Sequence, residues 1–301
     1  MHLRMHPGNR TPKKAPMKTP LNEANFSGPV IDRDTAAALM QPLTELVIRA
    51  GAAILAVNRL AMRVDGKPDG SPVTEADLAA DRIIAEGLAR LVPAIPAISE
   101  ERTHLAKSPT AGGFLGSFFL IDPLDGTKEY ISGRDEFTVN LALVTHGTPL
   151  LGIIGAPALG LIWRGLVGQG AQQLTISGAA AAAAKAIHTR RLPQPGHGWV
   201  AAVSRSHGDA GTEAFIEQRP GARRMALGSA VKFGRVAEGC VDIYPRLAPT
   251  SEWDIAAGHA IVTAAGGKIT DGQGAELRFG AGAKDFVVPE FIAWGDPAAA
   301  G

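Results

Sequence analysis

An apolar run, Phe119-Leu120-Ile121, leads into Asp122-Pro-Leu-Asp125-Gly126-Thr127, two carboxylates three residues apart on a turn. Pro123 has no N–H, and Gly126 accepts backbone conformations that other residues resist. Two aspartates held together at a strand end repel each other, and a bound cation is the usual compensation. A donor set of oxygens alone favours Mg²⁺ or Mn²⁺ over zinc. A bare Asp-x-x-Asp also fits an ordinary acidic turn, so the other acids matter. Glu100 and Glu101 follow a short strand pattern that ends at Ser99. Asp77 falls at the start of a helix pattern, where its charge suits the helix dipole, and Asp254 opens the last long helix pattern. These acidic sites come from distant segments, each at an element end, and could converge on one cluster. Taken singly, each could equally be a helix cap or a surface acid.

The elements that would position these acids follow from hydrophobic period. Asp34 to Met62 repeats apolar residues at three- and four-residue spacings and predicts an amphipathic helix, bent or restarted at Pro42. Gly66 to Pro72 reads as a loop. Thr74 with Asp77 three residues on reads as a capping box for a helix to about Leu91, which Pro93 and Pro96 end. The period then changes to strand-like runs at Ala97–Ser99, Phe118–Ile121, Phe137–Val144, Leu150–Ile154 and Leu161–Val167. The alanine run Ala179–Ala184 reads as an edge or connecting segment with no assigned function. Beyond Pro193 to Gly198, strands at 199–203, 224–226, 241–244 and 268–270 alternate with helices at 210–218, 229–238 and 254–265. The predicted class is α/β (α+β). The expected organisation is a disordered basic tail over 1–33, an N-terminal α+β half over 34–195, a C-terminal α/β half over 196–295 that completes the site, and a short tail over 296–301.

Composition limits the alternatives. The chain has 301 residues, 46% of them hydrophobic and 20% charged, which excludes disorder throughout, collagen and a coiled coil. No run of about 20 uncharged apolar residues exists, so no membrane span is expected. The net charge of +1 gives no overall pull toward nucleic acid. The single cysteine, Cys240, excludes an internal disulfide and thiolate zinc pairs, and a reducing cytosol is the simplest compartment. Cys240 and His259 both read as packed residues. The first 20 residues are basic without an apolar core, so they are not a secretory signal and are expected to be a tail or an over-extended start. Neither a Gly-x-Ser-x-Gly elbow nor a phosphate-loop motif is present.

Several motifs in order resemble the inositol-monophosphatase superfamily of Mg²⁺-dependent, lithium-sensitive phosphatases. They are Ser99-Glu-Glu101, Asp122-Pro-Leu-Asp-Gly-Thr127 and Trp253-Asp-Ile-Ala-Ala-Gly-His259. The likeness is closest to its 3′(2′),5′-bisphosphate nucleotidases of the CysQ type. That branch is matched by Lys67-Pro-Asp-Gly-Ser-Pro-Val-Thr-Glu-Ala-Asp77, Ser204-Arg-Ser-His207, Gly228-Ser-Ala-Val-Lys-Phe233 and Tyr244-Pro-Arg246. Ala230 and Tyr130 depart mildly from the pattern, which has Ser and Phe there.

The resemblance, covering about residues 35 to 295, implies a layered α/β/α/β sandwich and two or three Mg²⁺ ions. Glu100, Asp122 and the Leu124 carbonyl match ligands of one ion; Asp122, Asp125 and Asp254 match those of a second. Asp77 matches a position tied to a further ion and to proton acceptance. Thr127 matches the hydroxyl that positions the attacking water. Gly126, Thr127, His207, Ser229, Lys232 and Arg246 match substrate contacts. The implied reaction converts adenosine 3′,5′-bisphosphate to AMP and phosphate, in sulfur assimilation or nucleotide recycling. The implied partner is a small phosphorylated nucleotide, with no nucleic acid and no integral membrane segment. A homodimer and a cytoplasmic location, with peripheral contact to the inner membrane, fit the same resemblance. The rivals are an inositol-monophosphatase or fructose-1,6-bisphosphatase activity, and a non-catalytic phosphate- or nucleotide-binding protein.

Overall fold

The computed structural model describes residues 28–67, 70–105, 116–177, 180–193, 198–206, 208–219, 221–280 and 286–300. Helix α1 (Arg33–Ala56) starts at Asp32, whose carboxylate accepts the Thr35 N–H at 2.8 Å. It runs through Pro42 as a single element, and Leu43, Leu46, Val47, Ala50 and Ile54 bury its apolar stripe. Among the described residues it alone is long and apolar enough to cross a membrane by composition; here that stripe is core. The chain docks earlier than the expected tail boundary at residue 33. The Ser117 N–H donates to the Pro29 carbonyl at 3.0 Å, and the Ile31 N–H donates to Ser117 Oγ at 2.8 Å. Two bonds to one residue thus fix the approach to α1; residues 1–27 lie outside the described residues.

Around the expected loop at 66–72, β1 (Val64–Gly66) and β2 (Pro72–Thr74) pair antiparallel. Three residues a side are too few to show an alternating pattern. Helix α2 (Glu75–Leu91) begins with the expected capping box between Thr74 and Asp77. Then come β3 (Ala97–Ser99), β4 (Ser117–Asp125), α3 (Thr127–Ile131), β5 (Thr138–Thr145), β6 (Thr148–Ala156), β7 (Leu161–Leu166), β8 (Gly170–Ser177) and β9 (Ala180–Ile187). Strands β3 to β9 form a seven-stranded sheet in sequence order, parallel only between β3 and β4. The described part of the alanine run lies in β9, at the sheet edge.

The central strands are apolar without alternation because both faces are covered. Phe119, Ile121, Leu141, Leu143 and Ile153 pack with α1 and α2, while Phe118, Leu120, Ala142, Val144 and Ile154 pack on the opposite side. The second half supplies β10 (Val200–Ser204), α4 (Ala210–Glu217), β11 (Arg223–Leu227), α5 (Val231–Ala237) and β12 (Ile243–Arg246). It continues with β13 (Thr250–Ser251), α6 (Glu252–Ala264), β14 (Lys268–Thr270), β15 (Val287–Val288) and β16 (Phe291–Trp294). A five-stranded mixed sheet has the order β11-β10-β12-β16-β14. Helices α5 and α6 fill the space between the sheets through Phe233, Val236, Ile255 and Ile261. The layered architecture is therefore the one expected, and α4 adds a cover on the outer face, where Ile216 meets Ala201, Ile243 and Ile292.

The middle layer is tight. A Cβ built on Gly258 of α6 would lie 2.2 Å from Phe233 Cγ, and one on Gly152 of β6 would lie 2.2 Å from the Ala257 carbonyl oxygen. Gly258→Ala is expected to destabilise the protein by about 1–3 kcal/mol through overpacking. Thermal melting checks this, and an unchanged midpoint contradicts it. His259 is buried as expected, its ring edge-on to Phe279 at 5.5 Å. Burial pushes its imidazole down to about 4, and Nδ1 has no partner. Cys240 is not a core residue: it follows α5 on an exposed turn, its Sγ 3.4 Å from a Glu238 carboxylate oxygen.

Candidate active site

Strand β4 places the two aspartates by breaking its own register. Residues three apart in a regular strand point to opposite faces. Here Asp122 pairs with Asn140 but Asp125 pairs with Thr138, so one extra residue is accommodated between them. That bulge changes the parity, and Pro123, which cannot donate to a ladder, sits inside it. Both carboxylates consequently line one cleft, with Leu124 between them. The Leu124 N–H returns to Asp122 Oδ1 at 3.0 Å. Gly126, at φ 89°, then turns the chain into α3.

The other acids arrive from separate elements. Glu100 stands at the exit of β3, which lies parallel to β4. Asp254 is the third residue of α6, where its carboxylate accepts the Ser251 N–H at 3.2 Å and the Thr250 hydroxyl. Ligand oxygens of Glu100, Asp122 and Asp254 all lie within 4.8 Å of one another. Burial raises Asp122 well above the usual carboxylate range, and repulsion from Glu100, Asp125 and Asp254 adds to it. Burial pushes Glu100 up to about 7, with Asp254 adding repulsion and Lys67 opposing. Asp125 is pushed up to about 6 by burial and by Asp254. A buried, oxygen-only, mutually repelling set fits a hard divalent cation, which removes the repulsion. Protons and cation compete for the same oxygens, and Glu100 and Asp125 lose their protons at about pH 7 and about pH 6. Mg²⁺ affinity is therefore expected to rise across that window with proton release, measurable by titration calorimetry in buffers of different ionisation enthalpy. A pH-independent affinity contradicts this.

Asp77 stands behind the cluster. Its Oδ2 accepts the Thr74 N–H at 2.8 Å and the Thr74 hydroxyl at 2.6 Å, and its Oδ1 lies 3.1 Å from Thr127 Oγ1. The Thr127 hydroxyl is also 3.1 Å from the Leu124 carbonyl oxygen. Asp77 thus reaches the cleft through Thr127, and burial raises its pKa.

The cations of the cleft come from the second half, Lys232 from α5 and Arg246 from β12. Gly126, Thr127, Ser229, Lys232 and Arg246 line the same cleft as Glu100, Asp122, Asp125 and Asp254. The Lys232 ammonium donates to the Ser229 carbonyl at 2.5 Å and lies 5.2 Å from the centre of the Tyr244 ring. Burial pushes it down to about 8, against the attraction of Asp125. Arg246 donates through Nη2 to the Pro249 carbonyl at 3.2 Å, while its buried Nε has no partner. His207 lies outside the described residues.

Some site residues were not singled out from the sequence. Lys67, after β1, donates to Glu100 at 2.6 Å and to Glu101 at 2.7 Å. Glu129 of α3 accepts the Ser206 hydroxyl, and Glu136, just before β5, pairs with Arg205 at 2.8 Å. Lys67 and Glu129 sit inside quoted motifs; Glu136 carries no local signal, since both its partners are long-range.

Comparison with known proteins decides the family. The inositol monophosphatase family model matches residues 36–296. The chain belongs to the inositol monophosphatase family. Family members are metal-dependent phosphatases, in keeping with the acidic cluster. The protein named 3′(2′),5′-bisphosphate nucleotidase CysQ in Escherichia coli K12 is 37% identical over 250 residues, 80% of this chain and 94% of that one. Its Salmonella typhimurium counterpart of the same name is 38% identical over the same coverage. Among family structures, CysQ from Bacteroides thetaiotaomicron superposes with a TM-score of 0.66 at 29% identity, covering 85% of this chain and 97% of that one. An inositol monophosphatase of Thermotoga maritima gives 0.66 at 26% identity, covering 87% and 94%.

Proposed function

We propose that this protein is a Mg²⁺-dependent 3′(2′),5′-bisphosphate nucleotidase that hydrolyses adenosine 3′,5′-bisphosphate to AMP and phosphate. The same site would accept 3′-phosphoadenylyl sulfate. The observation that carries the reading is a single cleft lined by Glu100, Asp122, Asp125 and Asp254 together with Lys232 and Arg246. A nucleoside bisphosphate needs both: an acid cluster for the reacting phosphate and fixed cations for the second. The names of the bacterial relatives point the same way.

Glu100, Asp122, the Leu124 carbonyl, Asp125 and Asp254 would hold two Mg²⁺ ions, with Asp77 near a further one. When bound, such ions neutralise phosphate charge and acidify the attacking water. The chain's own residues do the rest. The Thr127 hydroxyl, directed at Asp77, keeps a lone pair for the attacking water, and Asp77 is placed to receive its proton. Lys232 and Arg246 hold the 5′-phosphate, Arg246 through a planar fork and Lys232 as a point charge. Ser229 and His207 are assigned to the nucleoside. As water adds at phosphorus, the bond to the 3′-oxygen breaks and that oxygen takes a proton. A cytoplasmic setting fits the exposed free thiol of Cys240.

Product analysis tests this. Incubation with adenosine 3′,5′-bisphosphate is expected to give 5′-AMP and one phosphate. Accumulation of adenosine 3′-phosphate, or no product at all, contradicts it.

A further inference from the structure

Two turns from opposite sheets meet at the cleft in close contact. A Cβ on Gly228 would lie 2.6 Å from the Glu136 carbonyl oxygen, and one on Gly126 would lie 3.2 Å from Ser229 Cβ. Ser229 holds φ 42°, a left-handed conformation that is uncommon for a residue with a side chain. Such a conformation persists where its surroundings over-determine it. Here Ser229 Oγ lies 2.9 Å from Thr138 Oγ1, and the preceding Gly228 is held by a carboxylate that a guanidinium braces. Glu136 accepts the Gly228 N–H at 2.9 Å and the Arg205 guanidinium at 2.8 Å. Arg205 also donates to the Ala226 carbonyl at 2.8 Å, tying Glu136 to the end of β11. A second acid of the same segment, Glu129, holds the adjoining Ser206 hydroxyl.

Lys232 depends on this junction. Its ammonium is 2.5 Å from the Ser229 carbonyl oxygen and 3.4 Å from that of Leu227, the two carbonyls flanking Gly228. The Leu227 carbonyl shares its peptide unit with the Gly228 N–H that Glu136 holds, and the Ser229 carbonyl follows one residue on, so a change in the Gly228–Ser229 turn would move both anchors. A physical chain therefore runs from the Glu136 carboxylate to the Gly228 amide, to the flanking carbonyls, and to the Lys232 ammonium in the cleft.

We propose that Glu136, braced by Arg205, is a positioning residue for substrate selection: it fixes the Gly228–Ser229 turn and so aims Lys232 at an anionic group of the substrate away from the acid cluster. The inference rests on the nucleotidase reading only in taking that group to be the second phosphate. Glu136 touches no reacting atom, so its effect is on selection rather than on hydrolysis itself.

Four proteins separate this role from simple structural damage: wild type, Glu136→Ala, Lys232→Ala and the double variant, with Glu136→Gln alongside. Each is assayed on adenosine 3′,5′-bisphosphate and on p-nitrophenyl phosphate with Mg²⁺. Glu136→Ala is expected to lower kcat/KM for the bisphosphate about tenfold, mainly through KM, the size of effect of one charge-assisted hydrogen bond. The loss on p-nitrophenyl phosphate should be less than about twofold. Glu136→Gln should fall between, since its amide oxygen can still accept the Gly228 N–H. In the Lys232→Ala background, removing Glu136 should cost little more, because the lysine it aims is gone. Full additivity of the two losses, equal loss on both substrates, or no loss in Glu136→Ala overturns the positioning role. If Glu136→Ala does not fold, Glu136→Gln carries the same comparison, and an unchanged bisphosphate KM there is the overturning result. A wild type that hydrolyses p-nitrophenyl phosphate but not the bisphosphate overturns the nucleotidase reading instead, and with it the identity of the group that Lys232 meets.

Discussion

Asp122→Asn is expected to lower phosphate release by at least about 10²–10³-fold, the scale seen when one preorganised contact that stabilises transition-state charge is removed. The substitution is isosteric, and its amide oxygen can still accept the Leu124 N–H that Asp122 Oδ1 accepts at 3.0 Å. Packing is thus preserved while the charge is removed. Asp122 is fully buried among Glu100, Asp125 and Asp254, each of which raises its pKa. Taking one negative charge out of that group relieves repulsion in the metal-free protein, so the melting temperature should hold or rise while activity falls. This opposite movement distinguishes a lost ligand from a damaged fold. Chelation of wild type with EDTA should give a comparable loss, reversed by added Mg²⁺. Near-wild-type turnover in Asp122→Asn, or full activity in excess chelator, contradicts the assignment of this cluster to metal.

Lys232→Ala and Arg246→Ala are each expected to lower kcat/KM for adenosine 3′,5′-bisphosphate by about 10–100-fold, as follows from roughly 1.5–3 kcal/mol for a hydrogen bond to a charged group. A small monophosphate should lose much less. Arg246 has a buried Nε without a protein partner, and Lys232 is only 3% exposed. Neither is the loosely solvated ion pair that contributes about 0–1 kcal/mol. The lysine adds a pH signature. With its pKa pushed down to about 8, it is charged below that value and loses its charge above it. Bisphosphate KM should therefore rise above about pH 8 in wild type, and this rise should be absent from Lys232→Ala. Equal losses on both substrates indicate general damage; no loss on either removes these residues from recognition and favours the inositol-phosphate alternative.

Much of this site was legible in the sequence because its parts are local. The capping box at Thr74 and Asp77, the acids leaving β3 and the Asp-Pro-Leu-Asp-Gly-Thr turn depend on neighbours within a few residues. What the sequence withheld is what depends on pairing across the chain. The bulge that gives Asp122 and Asp125 a common face shows only in the register against Asn140 and Thr138. The reach of Lys67 to Glu100 and Glu101, and of Glu136 to Arg205 and Gly228, spans separate elements and leaves no periodic trace. Short paired segments were missed for a related reason. The β1–β2 ribbon has three residues a side, below what an alternating pattern needs. Cys240 is exposed rather than packed because residue type alone does not say which way a turn residue faces.

The most direct test of the central claim is a comparison of kcat/KM for adenosine 3′,5′-bisphosphate, inositol 1-phosphate and fructose 1,6-bisphosphate, measured by phosphate release with Mg²⁺ and again after chelation. Hydrolysis is expected to depend on Mg²⁺ and to prefer the nucleoside bisphosphate by at least about 10-fold, the lower value of one charged hydrogen bond. Preference for either sugar phosphate, or hydrolysis that persists without a divalent cation, would contradict it.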